Sequence, residues 1–317
     1  MNTLAAGISY LDLNFQGHQR IIASAILHGP SGVAIVDPGP SSTLPVLSGA
    51  LEAAGMSVAD VTSILLTHIH LDHAGATGTL VNANPRAQVF VHEEGAPHMT
   101  APVKLIASAT RLYGDAMDRL WGDIRPVPRE SIVALKGGEE LAAGGRTLRV
   151  AYTPGHAKHH VSYFDADSGI AFVGDTAGVK VLVGGGVLPP TPPPDIDLEV
   201  WHDSLARIEE WSPHTLFITH FGPQAPSVPH LSELREQLEH VGDLARKSLA
   251  RDESDEAREA WFGDQIRDEL RRRLGDKEVR AYEIAGRFDL NWRGLARYLR
   301  KRGTVEGSKF TPWPVPR

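Results

Sequence analysis

The stretch Thr67-His68-Ile69-His70-Leu71-Asp72-His73-Ala74-Gly75 decides how this chain is read. It leaves a short apolar segment, 63–67, that reads as a strand, and runs into a Gly-containing helix start over 74–81. His68 and His70 are two apart. In extended backbone such residues point to the same side, so both imidazoles can meet one cation. Asp72 and His73 follow where the chain turns, point elsewhere and can hold a second ion. Four potential ligands in six residues outweigh the bland alternative, a polar loop with chance histidines.

Working outward, three more segments share the same grammar of apolar strand, ligand type and small residues. They are Tyr152-Thr153-Pro154-Gly155-His156, Phe172-Val173-Gly174-Asp175-Thr176 and Leu216-Phe217-Ile218-Thr219-His220. Each presents one His or Asp at the carboxyl edge of a strand, where open α/β layers place ligands. A lone His at a strand end is more often structural; an ordered set of four such ends is not. Between them, strands are expected at 8–13, 21–28, 32–37, 88–91, 148–152, 161–165, 170–173 and 215–219. Helices are expected at about 41–54 and 198–211, giving a layered α/β alternation.

Two segments break that alternation. Residues 102–125 read as helical, with Leu105, Leu112, Tyr113, Met117, Leu120 and Trp121 at near-helical spacing. Residues 184–194 are Gly- then Pro-rich and should form an ordered loop. After 229 strand signals stop: 231–249, 253–274 and 291–302 read as charged amphipathic helices, and Pro312-Trp313-Pro314-Val315-Pro316 ends the sequence. The expected organisation is an α/β catalytic domain over 1–229, with a helical insert at about 100–125, followed by an α-helical extension over 230–317.

Composition narrows the chemistry. The 317 residues are 42% hydrophobic and include no cysteine, so disulfides are impossible and any metal must take nitrogen and oxygen ligands. The net charge of −7 is uneven: −9 over 1–229 and +2 over 230–317. An acidic main body argues against nucleic acid as the ligand and leaves a small-molecule substrate. No basic segment followed by a long apolar run opens the chain, and no apolar run approaches the roughly 20 residues of a membrane span. A cytoplasmic protein without membrane partners is expected, and homo-oligomerisation is compatible with this composition.

The motifs quoted above, together with Val36-Asp37-Pro38-Gly39, resemble the metallo-β-lactamase superfamily and, within it, the glyoxalase II-like hydrolases, over about 8–223. The resemblance implies an αββα sandwich with its site at one edge of two facing sheets. It implies that His68, His70 and His156 hold one metal, Asp72, His73 and His220 a second, and that Asp175 bridges them. Asp37 would support these ligands from behind; Asp72 and His160 would also take part in catalysis. The expected cofactors are two zinc ions, or iron or manganese in their place. A hydroxide bridging them would cleave an ester-like bond, a thioester first, with a lactone or a β-lactam-like amide as alternatives.

Other chemistries suit the sequence less. A phosphodiesterase or nuclease uses the same histidine run but fits the acidic body poorly. A mono-iron persulfide dioxygenase would leave Asp72, His73 and His220 idle. The C-terminal helices, with Arg271-Arg272-Arg273 and 297–302, could form a partner- or nucleic-acid-binding module, and 278–305 reads as a small helical or winged-helix unit; a helical cap with a solvated charged face is preferred. Tyr113, Met117 and Trp121 could line an acyl pocket or form the insert's own core. Lys158 and His159 have no assigned role, and His92 and His98 read as structural.

Overall fold

The computed structural model describes residues 1–182 and 184–303. The Pro-rich stretch 312–316 and the last residues of the 278–305 segment lie outside the described residues. Seven strands form the first sheet in sequential order: β1 (Asn2–Ala5), β2 (Ile8–Asp12), β3 (Ala23–Gly29), β4 (Gly32–Val36), β5 (Val61–Leu65), β6 (Gln88–His92) and β7 (Ile132–Leu135). β1 to β4 pair antiparallel; β4 to β7 pair parallel. The second sheet holds β8 (Glu140–Ala143), β9 (Arg146–Tyr152), β10 (Val161–Asp165), β11 (Ile170–Phe172), β12 (Thr215–Ile218) and β13 (Gly222–Gln224), in the order β13-β12-β11-β10-β9-β8.

Strand periodicity sets which face each residue buries. Ala25, Leu27, Ala34 and Val36 join Leu65, Val150, Tyr163 and Phe172 in the core between the sheets. Their neighbours Ile26, Val33 and Ile35 point outward and pack under the first helical layer. That layer comprises α1 (Leu44–Ala53), α2 (Leu71–Ala74), α3 (Thr77–Ala83), α4 (Ala96–Thr100), α5 (Val103–Tyr113) and α6 (Met117–Trp121). The outer face of the second sheet is covered by α7 (Leu198–Glu210), α8 (Ser227–Leu249), α9 (Asp255–Arg271), α10 (Asp276–Gly286) and α11 (Phe288–Gly303). The order of layers is helix, sheet, sheet, helix, as the sequence led us to expect.

Local departures have identifiable causes. The strand feeding the histidine run stops at Leu65 rather than 67, because the Thr67 amide leaves the ladder to donate to the Asp37 carboxylate at 2.8 Å. The helix expected over 74–81 divides into α2 and α3, since the Ala76 amide donates to Gly39 O at 2.8 Å instead of continuing the first helix. The helical region at 102–125 is two helices, α5 and α6, joined by a turn at Gly114–Ala116. Strands β1, β7, β8 and β13 escaped the sequence reading, and α10 was expected only as part of a small helical unit over 278–305. The helices of the C-terminal segment share one apolar core with the second sheet: Leu231, Leu234 and Leu238 of α8 pack with Trp201 and Leu205, and with Phe262, Tyr282 and Trp292. No described helix is long and apolar enough to cross a membrane.

Candidate metal centre

The strand ends meet at one edge of the sandwich. Backbone bonds between the sheets hold that edge closed: Val161 N donates to Thr67 O and Ala23 N to Thr219 O, each at 2.8 Å. Gly155 is required in its motif. Its φ is 132°, and a Cβ there would come within 2.4 Å of Trp201. Close packing on α7 therefore sets where His156 points, and the His156 and Trp201 rings meet edge to face at 5.6 Å.

Among the described residues, three overlapping groups of ligand atoms result, one of them His68, His73 and Asp175, which joins the other two. His68, His70 and His156 converge, as do Asp72, His73 and His220, each set with its ligand atoms within 4.8 Å of one another. His68 Nε2 lies 2.9 Å from His70 Nδ1, and His156 Nε2 lies 3.1 Å from the same atom. The hydrogen bonds of the second imidazole nitrogens fix the tautomers. Thr67 Oγ1 donates to Asp37 and so accepts from His68 Nδ1 at 3.1 Å. His156 Nδ1 donates to Pro190 O at 2.8 Å, and His220 Nδ1 to Ile21 O at 2.6 Å. Each Nε2 is thereby left as a lone pair facing inward.

Asp175 stands between the groups. Its Oδ1 lies 3.3 Å from His73 Nε2 and 3.6 Å from His220 Nε2, while its Oδ2 lies 3.4 Å from His156 Nε2. Asp72 Oδ2 is 3.4 Å from His220 Nε2. Behind them, Asp37 accepts four hydrogen bonds, from the Thr67 amide and hydroxyl, the Thr219 hydroxyl and His73 Nδ1.

Electrostatics follow the same division. Burial pushes His68 and His156 below their usual range and His70 down to about 3, with His156 adding to the effect on His70. For His73 and His220 burial pulls the same way, but Asp175 and the neighbouring carboxylates outweigh it and raise both. Burial alone would raise Asp72 and Asp175; the neighbouring histidines, His73 foremost and then His220, instead hold Asp72 down to about 2 and Asp175 well below the carboxylate range.

These residues fit divalent cations. His68 Nε2 and His156 Nε2 are both acceptors, and His70 Nδ1 has at most one proton for the two of them. His73 Nε2 and Asp175 Oδ1 are buried and face each other at 3.3 Å without a well-formed hydrogen bond. Converging buried lone pairs of this kind are costly unless a cation satisfies them. The all-nitrogen-and-oxygen donor set suits zinc or a similar first-row ion.

A cavity of about 360 Å³ opens on the centre, and His70, Asp72, His156 and Asp175 form part of its wall. Tyr113 and Trp121 line it; Met117 does not, and packs instead against the core of the first sheet. His160, expected to take part in catalysis, is fully buried and absent from the wall. It stacks behind His68 at 5.1 Å, and its Nδ1 lies 3.0 Å from the hydroxyls of both Thr153 and Thr176. Its geometry is that of a positioning residue. His159, given no role from sequence, reaches the cavity, and so does His98. His92 is structural, stacked on Tyr152 at 4.3 Å.

Other cavity residues carried no sequence signal. Arg287, Leu290 and Asn291, from the junction of α10 and α11, form part of the wall. Their approach depends on tertiary packing of a segment far along the chain. Thr67 and Thr219 could have been found, because each directly precedes a ligand-type histidine.

Comparison with known proteins places the chain in a family. A family model described as the metallo-beta-lactamase superfamily matches residues 19–220. The chain is 32% identical over 200 residues to a metallo-beta-lactamase fold-containing protein of Sulfurisphaera tokodaii, covering 59% of this chain and 74% of that one. It is 31% identical over 153 residues to a hydroxyacylglutathione hydrolase of a Synechococcus strain, covering 48% of this chain and 47% of the relative. The chain thus spans about half the length of the hydroxyacylglutathione hydrolase it matches. A metallo-beta-lactamase family protein from Thermus thermophilus superposes with a TM-score of 0.70 at 23% identity, over 95% of both chains. From the matched segment, the fold and the convergence of its strand-end histidines and aspartates, this chain belongs to the metallo-beta-lactamase superfamily.

Proposed function

We propose that this protein is a binuclear metal-dependent hydrolase of an ester-like bond in a small molecule, with a thioester as the preferred substrate. The observation that carries the two-ion reading is the split of Asp175: one carboxylate oxygen faces His73 and His220, the other faces His156. His68, His70 and His156 would hold one ion, Asp72, His73 and His220 the other, and Asp175 both; zinc, iron or manganese would suit these donors. When bound, a divalent pair supplies an acidified water as nucleophile and polarises the scissile carbonyl.

The chain's own residues do the rest. Asp72 is partly exposed at the cavity wall, so its carboxylate can accept a hydrogen bond from the attacking water and aim it. Tyr113, Trp121 and Leu105 exclude bulk water from one side of the substrate. The hydroxyacylglutathione hydrolase among the relatives favours a thioester over a lactone or β-lactam. The metal-loaded protein should cleave a simple acyl thioester with a higher kcat/KM than a matched lactone or β-lactam, and His70→Ala should lower that value at least about a thousandfold. Unchanged turnover in His70→Ala, or faster lactone cleavage, would refute the assignment.

A further inference from the structure

Helix α5 carries two parallel stripes into the cavity. Leu105, Ala109 and Leu112 are spaced i, i+4, i+7 and form one; Lys104, Ser108 and Arg111 share that spacing one residue earlier and form the other. One residue is about 100° of helix rotation, so the stripes lie side by side along roughly 10 Å of axis. The apolar stripe is half-buried or buried, whereas Lys104 and Arg111 are exposed and so stand at the mouth. Lys158, from the loop between β9 and β10, adds a third exposed cation to the same wall.

None of these three side chains pairs with a carboxylate among the described residues. Apart from Asp72 and Asp175 at the metal centre, Asp195 is the carboxylate lining the cavity. The mouth is therefore cationic on a chain whose net charge is −7. Three unpaired cations gathered at one opening of an acidic protein attract and orient anions.

We infer that the substrate is an amphiphilic anion. Its apolar acyl group lies on Leu105, Ala109 and Leu112, and its anionic leaving portion is held at the mouth by Lys104, Arg111 and Lys158. This assignment of ends rests on the thioester reading above. The two halves of the recognition can nevertheless be tested by binding alone.

The probes are thioethers, which cannot be hydrolysed: S-hexyl-3-mercaptopropionate, its neutral amide, and the S-methyl homologue of each, titrated calorimetrically into the metal-loaded protein. The carboxylate should bind roughly tenfold more tightly than the amide at low salt, with the advantage shrinking as ionic strength rises. The hexyl compounds should bind more tightly than the methyl ones. The triple variant Lys104→Gln, Arg111→Gln, Lys158→Gln alters exposed side chains only and should erase the carboxylate's advantage while leaving amide binding unchanged. Equal affinity for carboxylate and amide, or an advantage that survives in the triple variant, overturns the cationic mouth. Affinity independent of chain length overturns the apolar stripe. Selective binding of the hexyl carboxylate without cleavage of the matching S-hexanoyl thioester would retain the recognition and reject the thioester reading.

Discussion

Asp37 shows how a single side chain can organise the centre without lining its cavity. It is buried, its φ is 49°, and its carboxylate ties the strand ends carrying Thr67 and Thr219 to the ring of His73. Asparagine tolerates a left-handed backbone and keeps the shape, but it loses the charge and half the acceptor capacity. Asp37→Asn should therefore remain folded and lose about 10- to 100-fold in affinity for the divalent ions, measured by competition with a chromophoric chelator. Undiminished affinity would remove Asp37 from the supporting network. The ligand types were legible in the sequence because the period of a strand and the position of its end are local properties. The roles of Thr153 and Thr176 were not, because both rest on how the folded chain brings their hydroxyls onto the ring of His160.

At the scale of elements, α11 reaches the centre through a loop. Asn291 Oδ1 accepts from the Thr191 amide at 2.8 Å, and Asn291 O accepts from the Thr191 hydroxyl at 3.1 Å. Gly294 lies so close to this loop that a Cβ would come within 2.0 Å of Thr191 O. The preceding Pro190 O is the acceptor that orients His156. Asn291→Ala leaves the buried Thr191 amide without its partner and should cost about 1–3 kcal/mol of stability by chemical denaturation. Gly294→Ala should cost more, because the clash is with backbone rather than a flexible side chain. A Gly294→Ala protein as stable as the wild type would show that α11 does not seat on the loop in this way. An amphipathic pattern was legible in the C-terminal segment, and that pattern is real in α8, α9 and α11. It carried no information about which surface they would cover. The cavity wall contributed by Arg287, Leu290 and Asn291 was accordingly invisible.

The whole molecule is an αββα sandwich whose second helical layer extends to Gly303, and its stability should register that packing. His230, near the start of α8, donates from Nε2 to Ala177 O at 2.7 Å, in the turn that also carries Asp175. Burial pushes His230 down to about 4. Between that value and the unfolded histidine's pKa of about 6.5, the unfolded chain binds a proton that the folded one excludes, so this group lowers stability as pH falls through that window. His230→Gln can retain a donor to Ala177 O without titrating. From pH 7 to pH 5 the wild type should lose about 2 kcal/mol more than this variant in denaturant unfolding. Comparing the two proteins cancels the titration of the metal centre. Equal losses would show that His230 does not titrate as its surroundings imply.

The run His68 to His73 accounts for only part of the proposed centre; His156, Asp175 and His220 arrive from three other strand ends. Metal analysis of the purified protein, before and after His70→Ala, tests this assembly most directly. Two divalent ions per chain are expected, with His70→Ala retaining close to one, because Asp72, His73, His220 and Asp175 remain. A single tightly bound iron in the wild type would contradict the proposed two-ion centre, and two ions undisturbed by His70→Ala would contradict the ligand set proposed for it.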